Sequence, residues 1–139
     1  MAAGSETFDI RTWLYGVLSG DAALVALVGA GGIHANQLPQ VQIYPCLLFS
    51  LQSGVDINSL GERGLVNQLW QIQAINVGES SAALGPAMAR IDVLLQEVIA
   101  TSGGGLRLRW RREQTLEYPE TQNGIRYNHV GAMYRCFAS

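Results

Sequence analysis

Between Leu65 and Val77 the chain reads LVNQLWQIQAINV, and no other stretch restricts the possible fold as strongly. Trp70, Ile72 and Ala74 alternate with Gln71, Gln73 and Ile75, the period-two pattern of a strand with one face in a core. Residues 78–81, GESS, interrupt it and supply a serine for a helix N-cap. Leu84, Met88, Ile91, Leu95 and Val98, with Leu94 alongside, then recur every three or four positions, which predicts an amphipathic helix running to about Ala100. Gly85-Pro86 lies at its start, where a proline either delays the first turn or bends it. A half-buried strand followed by a one-sided helix calls for a sheet around the first and a helical layer with the second.

The flanking text supplies both. A helix is predicted over residues 8–19, with Ile10, Trp13, Leu14, Val17 and Leu18 on one face, Thr7 as cap and Asp9 in the positive first turn. Gly20 stops it, Asp21 caps a second short helix over residues 22–28, and Gly29 closes that one. GGIHA, residues 31–35, is a weak strand leading into a polar loop marked by Pro39. Pro45 opens CLLFSL, apolar on both faces and read as a strand buried on both sides. Residues 53–64, SGVDINSLGERG, read as a long irregular loop, and loops of that length in compact domains usually have a use.

Thr101 to Gly105 reads as a flexible stop. From Leu106 to Tyr118 the text alternates again, with Leu108 and Trp110 facing one way and Arg107, Arg109 and Arg111 the other. Residues 119–124 form a turn whose Asn123-Gly124 pair suits a tight hairpin, and residues 125–137 return with Val130, Ala132, Tyr134 and Cys136 on the inner face. The fold class is therefore α+β, a mostly antiparallel β-sheet with two helical segments packed on one face. Strands of about 12 residues span roughly 40 Å, about the diameter of a globule this size. Their ends and edges should reach the domain boundary, where a neighbouring copy would cover them.

Bulk properties narrow the function classes. The chain has 139 residues, read as one domain (1–139) with a flexible N-terminus (1–6), and 48% of it is hydrophobic against 14% charged. The net charge of -2 excludes a generally basic nucleic-acid binder. The first residues lack the charged and apolar segments of a signal peptide, and the longest apolar run, residues 22–28, is far short of a membrane span. A soluble, non-exported chain without membrane contact is expected, its Cys46 and Cys136 read as buried free thiols with a disulfide still open.

No constellation carries chemistry. His34 and His129 stand far apart, and no His, Cys, Asp or Glu set has metal-ligand spacing. Cys46 or Cys136 could be paired with His129 on paper, but no third group orients them. Both glycine-rich stretches follow a helix and precede a strand, the reverse of a phosphate cradle. Asp92 and Glu97 fall on the solvated side of the second helical layer. No catalytic, cofactor-binding or metal-ligating residue is assigned. The one charged feature above background is the arginine strand face, Arg107, Arg109 and Arg111 with Arg112 beside it, whose charges recur about 6–7 Å apart. It reads as a solvated face balanced by Glu113, Glu117 and Glu120, as a contact with an acidic neighbouring subunit, or as a face toward DNA phosphate.

The order of parts also resembles a known family. SGDAALVALVG at a helix end, GGIHA, the proline-led YPCLLFSLQSGVD, the long QLWQIQAINVG, the helix SSAALGPAMARIDVLLQEV and the closing RYNHVGAMYRCFA together resemble the tail-terminator proteins of long-tailed phages, from about Leu14 to Phe137. The resemblance implies a non-enzymatic virion protein, made in the host cytoplasm and located at the tail–neck junction. It would form a homo-oligomeric ring, typically a hexamer, on the last ring of the tail tube protein, stop tube polymerisation and meet a neck or connector protein while DNA passes through without sequence-specific binding. It implies no cofactor. Asp56, Asn58, Glu62 and Arg63, in the 53–64 loop, are then the expected subunit or tube contacts. Another neck or head-completion connector on a related fold is the alternative. A small thiol hydrolase and a nucleic-acid binding module using the arginine face are two further classes.

Overall fold

The computed structural model describes residues 6–59 and 62–139, with side chains described for 6–56 and 65–139. Helices α1 (Glu6–Ser19) and α2 (Ala22–Val28) lead into strand β1 (Ile33–Ala35), then β2 (Cys46–Ser59) and β3 (Glu62–Val77). A short 3₁₀ turn (Ala82–Leu84) runs into α3 (Gly85–Leu95), and β4 (Val98–Thr101), β5 (Arg107–Gln122) and β6 (Ile125–Ala138) complete the chain. The strands form one sheet in the order β1-β2-β3-β6-β5-β4, antiparallel throughout except for the β1–β2 pair. The fold is α+β, as the periodicities require.

Local chemistry sets most boundaries. Asp21 caps α2, its carboxylate accepting from the Leu24 amide at 3.1 Å, and Gly29 (φ 83°) closes the helix. Pro86 lies in the first turn of α3, where its missing N–H leaves no hydrogen bond unmade, so it delays the α-helix until after the 3₁₀ turn. Asn123 (φ 51°) and Gly124 (φ 76°) make the two-residue reversal between β5 and β6.

Several sequence expectations change. Glu6 already belongs to α1, while residues 1–5 lie outside the described residues. Thr7 is therefore inside the helix; its hydroxyl accepts from the Gln68 amide nitrogen at 2.9 Å instead of capping. Residues 53–59 and 62–64 are not an irregular loop but the paired ends of β2 and β3, with Ser59 opposite Glu62. Two bulges, between Leu51 and Ser53 and between Ile57 and Asn58, absorb the sequence that breaks period two. The helix expected to reach Ala100 stops at Leu95. Glu97 (φ 56°) turns the chain, and the β-branched run of β4 pairs with Arg107–Trp110 of β5. Residues 102–106 make the hairpin turn between them, closed by the Gly105 amide donating to the Ser102 carbonyl at 3.0 Å, while Thr101 is the last residue of β4, opposite Arg107. Pro119 is a strand residue opposite Asn128, tolerated because β4 reaches only Trp110 and leaves that side of β5 without a partner strand.

The core lies between the helices and one face of the sheet. Ile10, Leu14 and Leu18 of α1, Leu24 of α2, and Ala87, Ile91 and Leu95 of α3 are buried against Leu47, Phe49, Trp70, Ile72, Trp110, Tyr134 and Cys136. Trp13 of α1 stacks on Trp110 with ring centroids 5.6 Å apart. Three polar ties fix the helices. Arg90 of α3 grips the Asp21 carboxylate through Nε and an Nη nitrogen at 2.8–3.0 Å, and its hydrogen bonds hold that carboxyl below its ordinary pKa of 3.8. Asp9 accepts from the Ser102 hydroxyl and, at 3.0 Å, from the Gly104 amide. Tyr134 donates to Asp92 at 3.0 Å, so Asp92 faces the sheet rather than being merely solvated.

Candidate assembly surface

The opposite face of the sheet carries no helix. Residues directly opposite in antiparallel strands share a face, so the register defines this bare side: Ile99 with Arg109 and Phe137, Arg111 with Arg135, Gln73 with Gly131 and Leu116, and His129 with Tyr118 and Ile75. At one end lie Arg107, Arg109 and Arg111, all exposed, alternating with the buried Leu108 and Trp110 as the sequence predicts. None of the three arginines has an ion-pair partner among the described residues. The glutamates expected to balance them are engaged elsewhere. Glu113, at the bulge between Arg112 and Gln114, binds Arg135 at 2.6 Å; Glu117 accepts from Ser81 at 2.7 Å; Glu120 sits 3.9 Å from His129. Arg112 points to the helical side and faces Asp92 at 3.5 Å. The positive row therefore has no compensating ion pair among the described residues.

Beside it, Leu65, Ile99, Arg107, Arg109, Phe137 and Ser139 line a shallow groove of about 490 Å³. Ile99 is 59% exposed. The groove joins two charged side chains to an apolar floor, a composition suited to a protein surface. At the other end Glu120 and Ile125 are exposed, and Leu38 and Tyr44 line a small cavity with Glu120, Tyr127 and His129, the Tyr44 and Tyr127 ring centroids 5.3 Å apart.

The middle of this face holds the most elaborate polar cluster. His129 is buried and stacked on Tyr118, with ring centroids 4.5 Å apart and 8° between planes. Its Nδ1 lies 3.2 Å from the Gln73 side-chain oxygen, which also accepts from the Tyr118 hydroxyl at 3.2 Å. Burial lowers the His129 pKa and raises that of Tyr118, favouring the neutral form of both. The adjacent cavity, about 100 Å³, is too small for more than a few waters. Cys46 and Cys136 are buried free thiols, pushed up to about 11 and about 12 by burial, the opposite of an activated nucleophile. Cys46 stands on the bare face, two strands from His129 with Ile75 between them, and Cys136 is in the core on the other side. The pairing that the sequence allowed on paper is not assembled.

Of the expected loop contacts, Asp56 is an exposed residue of β2, and Asn58, Glu62 and Arg63 lie on the paired ends of β2 and β3 with side chains outside the described residues. Gln68 escaped the sequence reading. It is 3% exposed on the core face and accepts the Trp70 indole N–H at 3.0 Å. A buried tryptophan usually finds an acceptor, and for Trp70 a glutamine two residues away on the same face was the available signal. The free side of β5 beyond Trp110 carries both a bulge and Pro119, devices that keep an edge from adding strands. On the other side of the sheet, β1 pairs only with Leu47–Phe49 and leaves β2 beyond Phe49 without a partner strand, so the bare face and this edge are both open.

Neither protein-family models nor curated proteins give a match to the sequence. Among solved structures, the fold superposes on a chain of the virion of a native gene transfer agent (GTA) particle with a TM-score of 0.72 and 17% identity, over 97% of this chain and 99% of that one. A second solved chain, known by a catalogue identifier that states no role, superposes with a TM-score of 0.61 and 18% identity over 96% of each. At these identities the likeness is one of fold, and it extends over nearly all of each chain.

Proposed function

We propose that this chain is a non-enzymatic structural protein of a phage-like virion, the tail terminator that forms a homo-oligomeric ring, a hexamer, at the head-proximal end of the tail tube. The observation that carries this reading is the near full-length likeness in fold to a chain of a gene transfer agent virion. The bare face supports it: a sheet side with exposed apolar groups and an arginine row that has no ion pair among the described residues is suited to protein contacts. In this role the ring occupies the last tube ring, offers no surface for another, and meets the neck protein on its far side while DNA passes through. The β2–β3 end with Asp56, Asn58, Glu62 and Arg63 is the segment assigned to a neighbouring subunit or the tube. The virion's tail–neck junction is its place.

Mixing the purified protein with its tube protein tests the role. Native mass spectrometry should find closed rings, and negative-stain images should show tubes capped at one end and shortened as the ratio rises. A protein that stays monomeric and leaves tube length unchanged would overturn the terminator reading. Rings that cross-link to portal-side proteins and never to tube would assign it to a neck connector instead.

A further inference from the structure

The two lateral edges of the sheet are stepped, and the steps match. β4 pairs only with Arg107–Trp110, and through the register its Val98, Ile99 and Ala100 lie level with Gly54, Val55 and Asp56 of β2. β1 does not reach that level, so β2 is the outermost strand there on the far side of the sheet. β1 in turn lies level with Thr115–Glu117 of β5, where β4 no longer reaches. The bulge after Arg112 and Pro119 bracket that stretch, which leaves room for a short strand only. Each edge therefore projects by one strand where the other is recessed by one. Among the described residues, neither the outer side of β4 nor that of β2 beyond Phe49 has a backbone partner. Exposed apolar side chains mark the same level. Val55 pairs with Asn67, Asn67 with Phe137, Phe137 with Arg109 and Arg109 with Ile99, so all five stand on the bare face. Val55 is 60% exposed and Ile99 59%, one at each end of this row. Within one chain they are four strand spacings apart, about 19 Å.

We infer that β4 of one copy pairs with the open edge of β2 in the next, bringing Ile99 beside Val55 and carrying one sheet from copy to copy. The inference rests on the ring reading above and names the contact by which the ring closes. The occupant is a second copy because the chain itself supplies the matching profile: β4 fills the recess beside β2, and β1 of that next copy fills the recess beside β5. The four antiparallel steps from β2 to β4 make the new pair parallel when the copies stand side by side. Ladder hydrogen bonds supply the affinity, and the Ile99–Val55 pair fixes the register. Because the two edges differ, the contact is heterologous, and such contacts make rings when the rotation per copy closes.

Engineered disulfides test this. Neighbouring strands hold opposite Cα atoms about 5 Å apart, within the span of a disulfide. The V55C/I99C chain, oxidised as the assembled protein, should give a ladder of linked oligomers on non-reducing gels, while the wild type and each single variant stay unlinked. V55C mixed with I99C should stop at linked dimers. Charge placement gives a second reading: V55E/I99K should self-associate about tenfold more tightly than V55K/I99K, in which like charges meet across the contact. Sedimentation and native mass spectrometry read the oligomer, and far-UV circular dichroism melts check that each variant folds. Rings that form without cross-links, or equally well in both lysine variants, would overturn the inference while leaving the ring reading intact. Linked dimers of V55C alone would also overturn it, because two β2 edges would then face each other. A wild-type chain that never self-associates would remove the ring reading and this contact together.

Discussion

The two faces of the sheet use the same strands for different ends. On the helical side, Phe49, Trp70, Ile72, Trp110 and Tyr134 are fully or almost fully buried, and the polar atoms among them are mostly tied, as Gln68 is to Trp70 and Thr7. On the bare side the same strands present exposed arginines, Ile99 and Val55, with the Gln73–His129–Tyr118 cluster as the exception at the centre. One face is satisfied by its own chain and the other is not. Stability should therefore depend on the first face and association on the second, and substitutions that confuse the two would break the comparison.

The largest effect is expected from Trp70→Ala. The indole is fully buried, its ring lies 6.3 Å from that of Phe49, and its N–H is held by Gln68. Removal leaves a cavity and an unpaired glutamine oxygen, so unfolding in denaturant should show a loss of about 3–5 kcal/mol. A loss below about 1 kcal/mol would mean that the helices do not depend on this face for their packing.

An intermediate effect is expected from Asp21→Ala, which removes a helix cap and the partner of Arg90 together. The cap alone sets the scale, about 0.5–2 kcal/mol. The pH dependence carries the sign. The Asp21 carboxyl is held below 3.8 in the fold, chiefly by the Arg90 hydrogen bonds, so the unfolded chain takes up that proton first on acidification. The stabilisation is present above that range and is lost as pH falls through the folded value. Melting curves of the two proteins should accordingly converge in acid, and a gap that widens there would contradict the assignment.

How much of this was legible in the sequence depends on whether burial or hydrogen bonding decides the structure. Where burial decides, the text speaks: Leu108 and Trp110 alternate with arginines, Asp21 and Gly29 bracket α2, and Asn123-Gly124 marks the hairpin. Residues 53–59 and 62–64 are silent because they pair with each other as the ends of β2 and β3, and ladder bonds leave polar, glycine-containing text compatible with a strand. Val98 continues the helical spacing of Leu95 yet belongs to β4, because the free side of β5 offers it a ladder that a single-element pattern cannot anticipate. The arginine row itself was readable. Its lack of compensation was not, since that depends on the bulge at Arg112 and Gln114 and on Glu113 binding Arg135 across the strand pair.

The smallest effect is the sharpest for the comparison. Replacing Arg107, Arg109 and Arg111 with alanine removes three exposed side chains that have no ion-pair partner among the described residues and leaves Leu108 and Trp110 in place. Surface changes of this kind normally stay within about 0.5 kcal/mol per site. The row is slightly unfavourable in the isolated chain, because like charges at alternate strand positions repel and no ion pair among the described residues offsets them. Denaturant midpoints should therefore be unchanged or marginally higher, and the gain should fade with added salt as the repulsion is screened. A marked loss of stability would show that the arginines serve the fold, and the division of labour between the two faces would fail at the residues where it is drawn most clearly.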